Sequence, residues 1–401
     1  MSRLYKCAAQ GVIEVMKANF FLQTVRLRAR RSMLCAGLGL LSVHLPMSAA
    51  AQTVYAMSYT FTTLSGKNAN GGASEGTGRA RGVDPKGVAV DADGNVYVAN
   101  FHNQTISRMT LAGDATILAG QPGCIGSADG QGSGARFRYP QAVALDAAGE
   151  IYVADTGNNT IRRVSPSGVV TTLAGLARRV GSADGQGSAA RFNYPCGVAV
   201  DSAGNIYVAE LYNSTIRKVT PAGAVTTLAG QTGVFGCADG KGGAAKFDGP
   251  ISITVDAADD VYVADFFNNA IRKVTATGVV TTLAGQRTYQ TGSADGKGSG
   301  AQFYHPCGLT VDSTGNVYVA DTENQTIRQV TPDGTVVTLA GLAGQTGNAD
   351  GAGREARFNH PFSITTDPAG NLYVADLGNA AIRKGVPAIP GRETLFTSVG
   401  R

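Results

Sequence analysis

Short apolar runs separated by turn residues fill most of the chain, and residues 139–175 show the pattern clearly. The runs within that segment are 142–146 (AVALD), 151–155 (IYVAD), 160–164 (TIRRV) and 169–173 (VVTTL), and each has the length of a β-strand. They are rich in β-branched residues, and turns containing Gly, Pro, Asn or Ser separate them. None has helical period, so the pattern predicts four antiparallel strands in one meander sheet.

The same pattern recurs along the chain at an almost constant interval. Its Tyr-Val-Ala segment begins at Tyr97, Tyr152, Tyr207, Tyr262, Tyr318 and Tyr373, in steps of 55 or 56 residues. The first two strands of a repeat are apolar on both faces, so each sheet must be covered on both sides by its neighbours. We therefore predict an all-β, six-bladed β-propeller of four-stranded antiparallel blades, in preference to a linear solenoid.

The sixth repeat lacks its fourth strand, because no copy of VVTTLAG follows Ile382-Arg383-Lys384. Residues 59–66 (YTFTTLSG) resemble the missing strand, and we predict that this N-terminal strand completes the last blade and closes the ring. Residues 393–400 (ETLFTSVG) are a second candidate for that position. The propeller is predicted to span residues 52–390, followed by a C-terminal tail at 391–401.

Residues 1–51 have the pattern of a signal peptide or export leader. An apolar stretch at 34–45 is too short to span a membrane, and Ala49-Ala50-Ala51 offers a cleavage site. Four arginines stand shortly before the stretch and form a basic region: Arg26, Arg28, Arg30 and Arg31. The arginine pair suits either a twin-arginine signal or a general export signal. We expect a periplasmic or secreted protein without a transmembrane segment.

The leader also accounts for the net charge of +5. It holds seven of the 34 basic and one of the 29 acidic side chains, which leaves 27 basic and 28 acidic ones in residues 52–401. A nearly neutral chain lacks the basic surface that nucleic acids require, so we expect no nucleic-acid partner.

Four cysteines follow the leader: Cys124, Cys196, Cys237 and Cys307. Export would permit their oxidation. Cys196 and Cys307 hold the same repeat position two blades apart, too distant for a disulfide in a rigid ring. Free thiols are the simpler expectation, and the pairing of Cys124 and Cys237 stays open.

A glycine-rich loop with one aspartate joins successive repeats. The aspartates are Asp129, Asp184, Asp239, Asp295 and Asp350. A basic residue stands seven positions later in four of the loops, so we expect pairs such as Asp129 with Arg136, or a turn capped by the aspartate. One carboxylate per loop favours a structural role over calcium binding, which needs several oxygen ligands.

Strand alternation places the turn after each second strand and the inter-blade loop on one face of the ring, here called the upper face. Variable loop residues on such a face commonly bind ligands. The candidate ligand-binding residues are Phe101, His102, Tyr212, Phe266, Phe267 and Glu323. The alternative is that these side chains pack against neighbouring loops.

The phrase Tyr-Val-Ala-Asp-x-x-Asn-x-x-Ile-Arg, at residues 152–162 and 262–272, resembles the NHL repeat. Variants of it occur in all six units, and the resemblance covers about residues 55 to 384. It implies a six-bladed propeller similar to long-repeat bacterial NHL proteins. NHL proteins include RNA binders, protein binders, sensor ectodomains and a zinc-dependent amidating lyase, and similar propellers include antibiotic lyases and lactonases, so the fold does not select a function.

The lyase resemblance implies zinc-binding histidines just after the proline that begins each first strand. Those positions hold Lys86, Gln141, Cys196, Ile251, Cys307 and Phe362. None is histidine. A different set, His102, His305 and His360, lies on neighbouring blades and could hold zinc or calcium. Because Tyr139 and Tyr194 occupy the position of His305 and His360, a packing role is the alternative.

We therefore predict an exported NHL-repeat propeller that binds a protein, peptide or glycan on its upper face, without catalysis and without a cofactor. A metal-dependent lyase or lactone hydrolase of the six-bladed type is the alternative.

Overall fold

Six antiparallel sheets form a ring in the computed structural model, which describes residues 58–66, 84–286 and 289–388. The predicted leader at 1–51 and tail at 391–401 lie outside these ranges. Within them, no helix is long and apolar enough to cross a membrane. Each sheet is one blade, and the blades are numbered 1 to 6 from the strand that begins at Pro85.

The strands of each blade follow chain order from the axis outward. The first strands, which lie innermost, are Pro85–Val90, Pro140–Leu145, Pro195–Val200, Pro250–Val255, Pro306–Val311 and Pro361–Thr366. The second strands are Val96–Asn100, Ile151–Asp155, Ile206–Glu210, Val261–Asp265, Val317–Asp321 and Leu372–Asp376. The third strands are Thr105–Met109, Thr160–Val164, Thr215–Val219, Ala270–Val274, Thr326–Val330 and Ala381–Pro387. The fourth strands are Ala115–Gly120, Val169–Ala174, Ala224–Gly230, Val279–Gly285, Thr335–Ala340 and Tyr59–Ser65.

The inter-blade loops add a short fifth strand to the outer edge of blades 2 to 6. These strands are Gly130–Gln131, Gly185–Gln186, Gly240–Lys241, Gly296–Lys297 and Gly351–Ala352. A 3₁₀ turn follows each of them: Gly132–Gly134, Gly187–Ala189, Gly242–Ala244, Gly298–Gly300 and Gly353–Glu355. Three second strands are also followed by such a turn: Thr156–Asn158, Thr322–Asn324 and Leu377–Asn379. The propeller prediction is confirmed, with a fifth strand in most blades that the sequence pattern did not predict.

The N-terminal strand closes the ring, as predicted. Tyr59–Ser65 pairs antiparallel with Ala381–Pro387 and supplies the fourth strand of blade 6. Phe61 on this strand is fully buried, and its ring meets Phe358 edge-on at a centroid distance of 5.2 Å. The first and last parts of the propeller are therefore joined by hydrogen bonds and by an apolar core.

Apolar cores lie between adjacent blades and cover both faces of the second strands. One core joins Tyr152, Ala154 and Ile161 of blade 2 to Val198 and Val208 of blade 3. Every residue of the second strands is buried in blades 1 to 6. Burial of this kind explains why these strands read as continuous apolar runs, and it is the main stabilising contribution in a ring of small cores.

A fully buried arginine on the third strand connects three parts of blade 2. Arg162 donates through Nη1 to Asp155 at 2.8 Å and through Nη2 to Asp129 at 2.6 Å. It also donates to the backbone oxygens of Arg136 and Ala128, and it lies over the Phe137 ring. The equivalent arginines of blades 3 to 6 are Arg217, Arg272, Arg328 and Arg383.

The expected pairing of Asp129 with Arg136 is therefore wrong. The inter-blade loop folds against the third strand of the next blade, where Asp129 meets Arg162 instead. The guanidinium of Arg136 donates hydrogen bonds to backbone oxygens, including that of Ala135 at 2.7 Å. The structural role that we assigned to these aspartates fits the contacts of the described loops.

Blade 1 replaces the buried charges with neutral groups. Asn100 stands where blade 2 has Asp155, and Ser107 stands where it has Arg162. Asn100 Nδ2 donates to Ser107 Oγ at 2.7 Å and to Thr105 Oγ1 at 3.2 Å. Because one buried charge without its partner would be strongly destabilising, both positions differ together.

All four cysteines in the described residues are free thiols. Cys196 and Cys307 are buried, while Cys124 and Cys237 are half-buried.

Candidate functional site

The upper face surrounds the channel entrance, and one residue before each first-strand proline shapes it. Four of these residues, Tyr139, Tyr194, His305 and His360, have φ between +51° and +59°. Such left-handed backbone is uncommon outside glycine and needs support from its surroundings. The preceding blade gives that support, because a side-chain oxygen of Gln104, Asn159, Asn269 or Gln325 accepts the backbone N–H of each residue.

The predicted ligand residues lie on this face in separate aromatic groups. Phe101 contacts Tyr139 at a ring distance of 5.1 Å, and His102 lies beside it. Tyr212 lies 4.9 Å from Tyr194. Phe266 contacts both Phe267 and His305, at 4.8 and 4.3 Å. The rings form contacts between turns of the same or adjacent blades.

Exposure divides the predicted residues into two sets. Phe101 and Phe266 are buried and pack against neighbouring loops. His102 and Tyr212 are exposed, Phe267 and Glu323 are half-buried, and these four side chains are available at the surface. The role of all six in ligand binding stays a prediction.

The three histidines have different partners. His102 Nδ1 lies 2.9 Å from Asp84 Oδ2, and its hydrogen bond lowers the pKa of Asp84 despite the burial of that carboxyl. His360 Nδ1 lies 2.9 Å from an oxygen of Asn359. His305 stacks on the Phe266 ring. No group of three or more His, Cys, Asp or Glu side chains in the described residues is arranged to hold a metal ion.

The environment of His305 predicts a pH dependence of stability. Burial lowers the pKa of His305 to about 4, below the ordinary value of about 6.5. As the pH falls from 6.5 to 4, the unfolded chain takes up a proton at this histidine and the folded chain does not. The free energy of unfolding therefore decreases by about 1–3 kcal/mol. We expect the free energy of unfolding, measured in urea, to fall less over this range in His305→Phe. Parallel curves for the two proteins would contradict this expectation.

Lys86 is the site residue that sequence reasoning overlooked, since it was noted only as a position without histidine. It is 7% exposed, at the start of the innermost strand of blade 1. Its Nζ lies 3.9 Å from the centre of the Phe101 ring and 4.7 Å from that of Phe362. The signal in the sequence was a single lysine at a repeat position that is uncharged in the other five blades.

The channel below Lys86 contains a cavity of about 190 Å³. All six first strands line it, and the lining includes Val88, Val143, Val198, Ile253, Leu309 and Ile364. These residues follow the position of Lys86 along the strands, so the cavity lies nearer the opposite, lower face.

The comparison with protein families agrees with the repeat pattern. A model described as NHL repeat matches residues 83–109, 137–163, 192–219 and 303–330. The chain contains NHL repeats. The four matched segments each cover the first three strands of a blade, in blades 1, 2, 3 and 5.

The curated relatives extend well beyond the propeller. NHL repeat-containing protein 2 from Gallus gallus is 31% identical over 292 residues, which is 64% of this chain and 40% of that protein. This chain spans 30%, 12% and 40% of the length of three relatives it matches. The match therefore covers only part of those longer proteins and does not show that this chain has their activities.

Solved structures share the fold at low sequence identity. An auxiliary nutrient binding protein from Bacteroides ovatus has a TM-score of 0.60 at 20% identity, with 83% of this chain and 78% of that chain covered. A streptogramin B lyase has a TM-score of 0.51 at 16% identity, with 82% and 98% covered. At these identities the likeness shows the propeller fold alone.

Proposed function

We propose that this chain is an exported NHL-repeat propeller that acts as a non-catalytic binding module for a protein, peptide or glycan ligand on its upper face. The observation that carries the proposal is the contrast between the two faces. On the lower face, the tyrosine of each second strand donates to an aspartate of the preceding turn, as Tyr152 does to Asp146 at 3.1 Å. The same pair recurs at Tyr97, Tyr207, Tyr262, Tyr318 and Tyr373.

The upper face also has a shared contact, since Asn158 and its equivalents in blades 3 to 6 donate to the inter-blade loop, but the residue one position earlier in the same turn differs between blades. The turns after the second strands carry His102, Gly157, Tyr212, Phe267, Glu323 and Gly378. The fold of the repeat requires the residues that every blade shares. It does not require the different residues that the blades carry at this turn position. Differences at surface loops on a rigid scaffold are typical of a binding site.

The exposed side chains have the chemistry that such ligands need. Tyr212 is 37% exposed and is held by its contact with Tyr194, so it presents a rigid flat surface. Rigid aromatic rings are common anchors in binding sites, because little conformational entropy is lost on binding. The imidazoles of His102 and His360 and the carboxylate of Glu323 are polar groups on other blades of the same face. One protein of the same fold is described as an auxiliary nutrient binding protein, so the fold is compatible with a binding role.

Tyr212→Ala tests the proposal. We expect the full-length chain to retain a ligand from glycan and peptide arrays, and the variant to bind it about tenfold more weakly, the effect of losing one aromatic anchor. Leu111→Ala is the matched control, because Leu111 is a 50% exposed apolar side chain on the lower face. Equal losses in the two variants, or no change in either, would place the ligand away from the upper face.

The metal-dependent alternative is tested by elemental analysis of the purified chain. Under our proposal neither zinc nor calcium is retained at one ion per chain, and His305→Ala does not change the metal content. Stoichiometric metal that is lost in His305→Ala would favour the lyase or lactone hydrolase.

A further inference from the structure

Among the six described residues that follow the first-strand prolines, Lys86 is the charged one. The equivalent residues at the start of the other first strands are Gln141, Cys196, Ile251, Cys307 and Phe362. Residues that the fold requires recur from blade to blade, as the buried arginines do. A single lysine at this level is therefore not explained by the repeat.

The surroundings of Lys86 offer its amine no anionic contact. In the described residues, the Lys86 side chain contacts the Phe101 and Phe362 rings and has neither a hydrogen bond nor an ion pair. The titratable groups that act on it are Asp84, Cys196 and Cys307. The carboxylate of Asp84 forms a hydrogen bond with the imidazole of His102. The two thiols are neutral at pH 7, because burial raises their pKa values to about 12.

A buried ammonium group without an ion pair or a hydrogen bond is destabilised relative to the neutral amine, and the attraction of the Asp84 carboxylate opposes this effect only in part. Burial accordingly lowers the pKa of Lys86 from its ordinary value. An unprotonated lysine in an apolar site is a nucleophile at neutral pH, and carbonyl compounds are its usual partners.

We propose that Lys86 is a carbonyl-binding lysine, whose amine forms a reversible imine with a small aldehyde or ketone that enters from the upper face. The amine nitrogen attacks the carbonyl carbon, and the resulting carbinolamine loses water. A C=N bond replaces the C=O bond, and the two amine protons leave with the carbonyl oxygen. The step needs no oxidant or reductant. The ligand class includes the open-chain form of a reducing sugar.

A second observation at the same level supports a ligand here. Gln141 begins the first strand of the adjacent blade, and its Oε1 is buried without a hydrogen-bond partner among the described residues. Buried polar atoms are normally satisfied, so an unpartnered oxygen indicates a missing donor. A hydroxyl group of the carbinolamine or of a sugar would be such a donor. This proposal does not depend on the ligand proposed for Tyr212.

Reductive trapping tests the proposal on the full-length chain. Glycolaldehyde with cyanoborohydride at pH 7 converts imines to stable amines, and peptide mass spectrometry gives the rate at each lysine. Lys218 and Lys384 are matched controls, because their amines also lie over aromatic rings, here of tyrosines at 5.3 and 5.4 Å, but their side chains are only half-buried. We expect Lys86 to be labelled several-fold faster than either control, because a lowered pKa leaves a larger neutral fraction of its amine at pH 7.

The pH dependence of labelling gives a second, independent outcome. Between pH 7 and 9 the rate at Lys86 should rise less steeply than the rate at Lys218, because burial lowers the pKa of Lys86. Labelling of Lys86 at or below the rate of Lys218, or a parallel rise at both lysines, would overturn the proposal. Absence of labelling at Lys86 would overturn it too, because the amine would then be closed to ligands.

Discussion

Arg272→Ser is expected to lower the free energy of unfolding by about 3–5 kcal/mol, the usual effect of breaking a buried ion pair. Arg272 is fully buried and donates to Asp265 at 2.6 Å and to Asp239 at 2.8 Å. Burial raises the pKa of Asp265 to about 6, so its carboxylate is ionised at pH 7 and needs the guanidinium. Urea unfolding monitored by circular dichroism measures the difference.

Blade 1 provides the control for this experiment. The double variant Asp265→Asn, Arg272→Ser copies Asn100 and Ser107, which bond to each other at 2.7 Å. It leaves no unpaired charge on the second and third strands, so we expect it to be less destabilised than Arg272→Ser alone. If the double variant were as unstable as the single one, the loss would come from packing and not from the charge.

The sequence predicted the ring because burial leaves a direct trace in the pattern of apolar residues. Second strands that are apolar on both faces, such as Val261–Asp265, require cover on both sides, and the structure supplies it. The N-terminal strand was predictable for a similar reason, since Phe61 and Leu64 fit the register of a fourth strand. In both cases the pattern of apolar and polar residues follows from which side chains are buried and which are exposed to solvent.

The buried arginines were missed because a charged residue in a strand is normally taken as exposed. In Thr160–Val164, Arg162 is fully buried and the adjacent Arg163 is exposed. Because both residues are arginine, residue type alone does not distinguish the buried one from the exposed one. The repeat comparison held a usable signal. The one blade that lacks the arginine also lacks the carboxylate seven residues earlier, at Asn100.

The location of the candidate site on the upper face followed from strand alternation, but the place of Lys86 did not. Each first strand shifts register next to its proline, in blade 1 between Pro85 and Gly87. Lys86 is therefore the extra residue of a β-bulge, and a bulge breaks the two-residue alternation that sequence reasoning relies on. Its two aromatic neighbours come from different blades, so no local pattern brings them together.

Phe61→Ala is expected to destabilise the propeller by about 3–5 kcal/mol, the range for a buried phenylalanine. The Phe61 ring fills the space above Gly385, where an added Cβ would lie 2.6 Å from it, and it packs edge-on against Phe358. The effect should exceed that of an ordinary core residue, because Tyr59–Ser65 is the described strand from before blade 1 that pairs with blade 6 and closes the ring. Urea unfolding and limited proteolysis at the ends of the chain measure it.

Thr62→Ala is the matched control, since Thr62 is an exposed neighbour on the same strand. We expect it to change stability by less than about 0.5 kcal/mol, as surface substitutions usually do. If Phe61→Ala unfolds like Thr62→Ala, the ring does not depend on this strand. If proteolysis of Phe61→Ala begins at the N-terminal segment before the urea transition, the ring opens first at blade 6, and closure is then the weakest cooperative step of the fold.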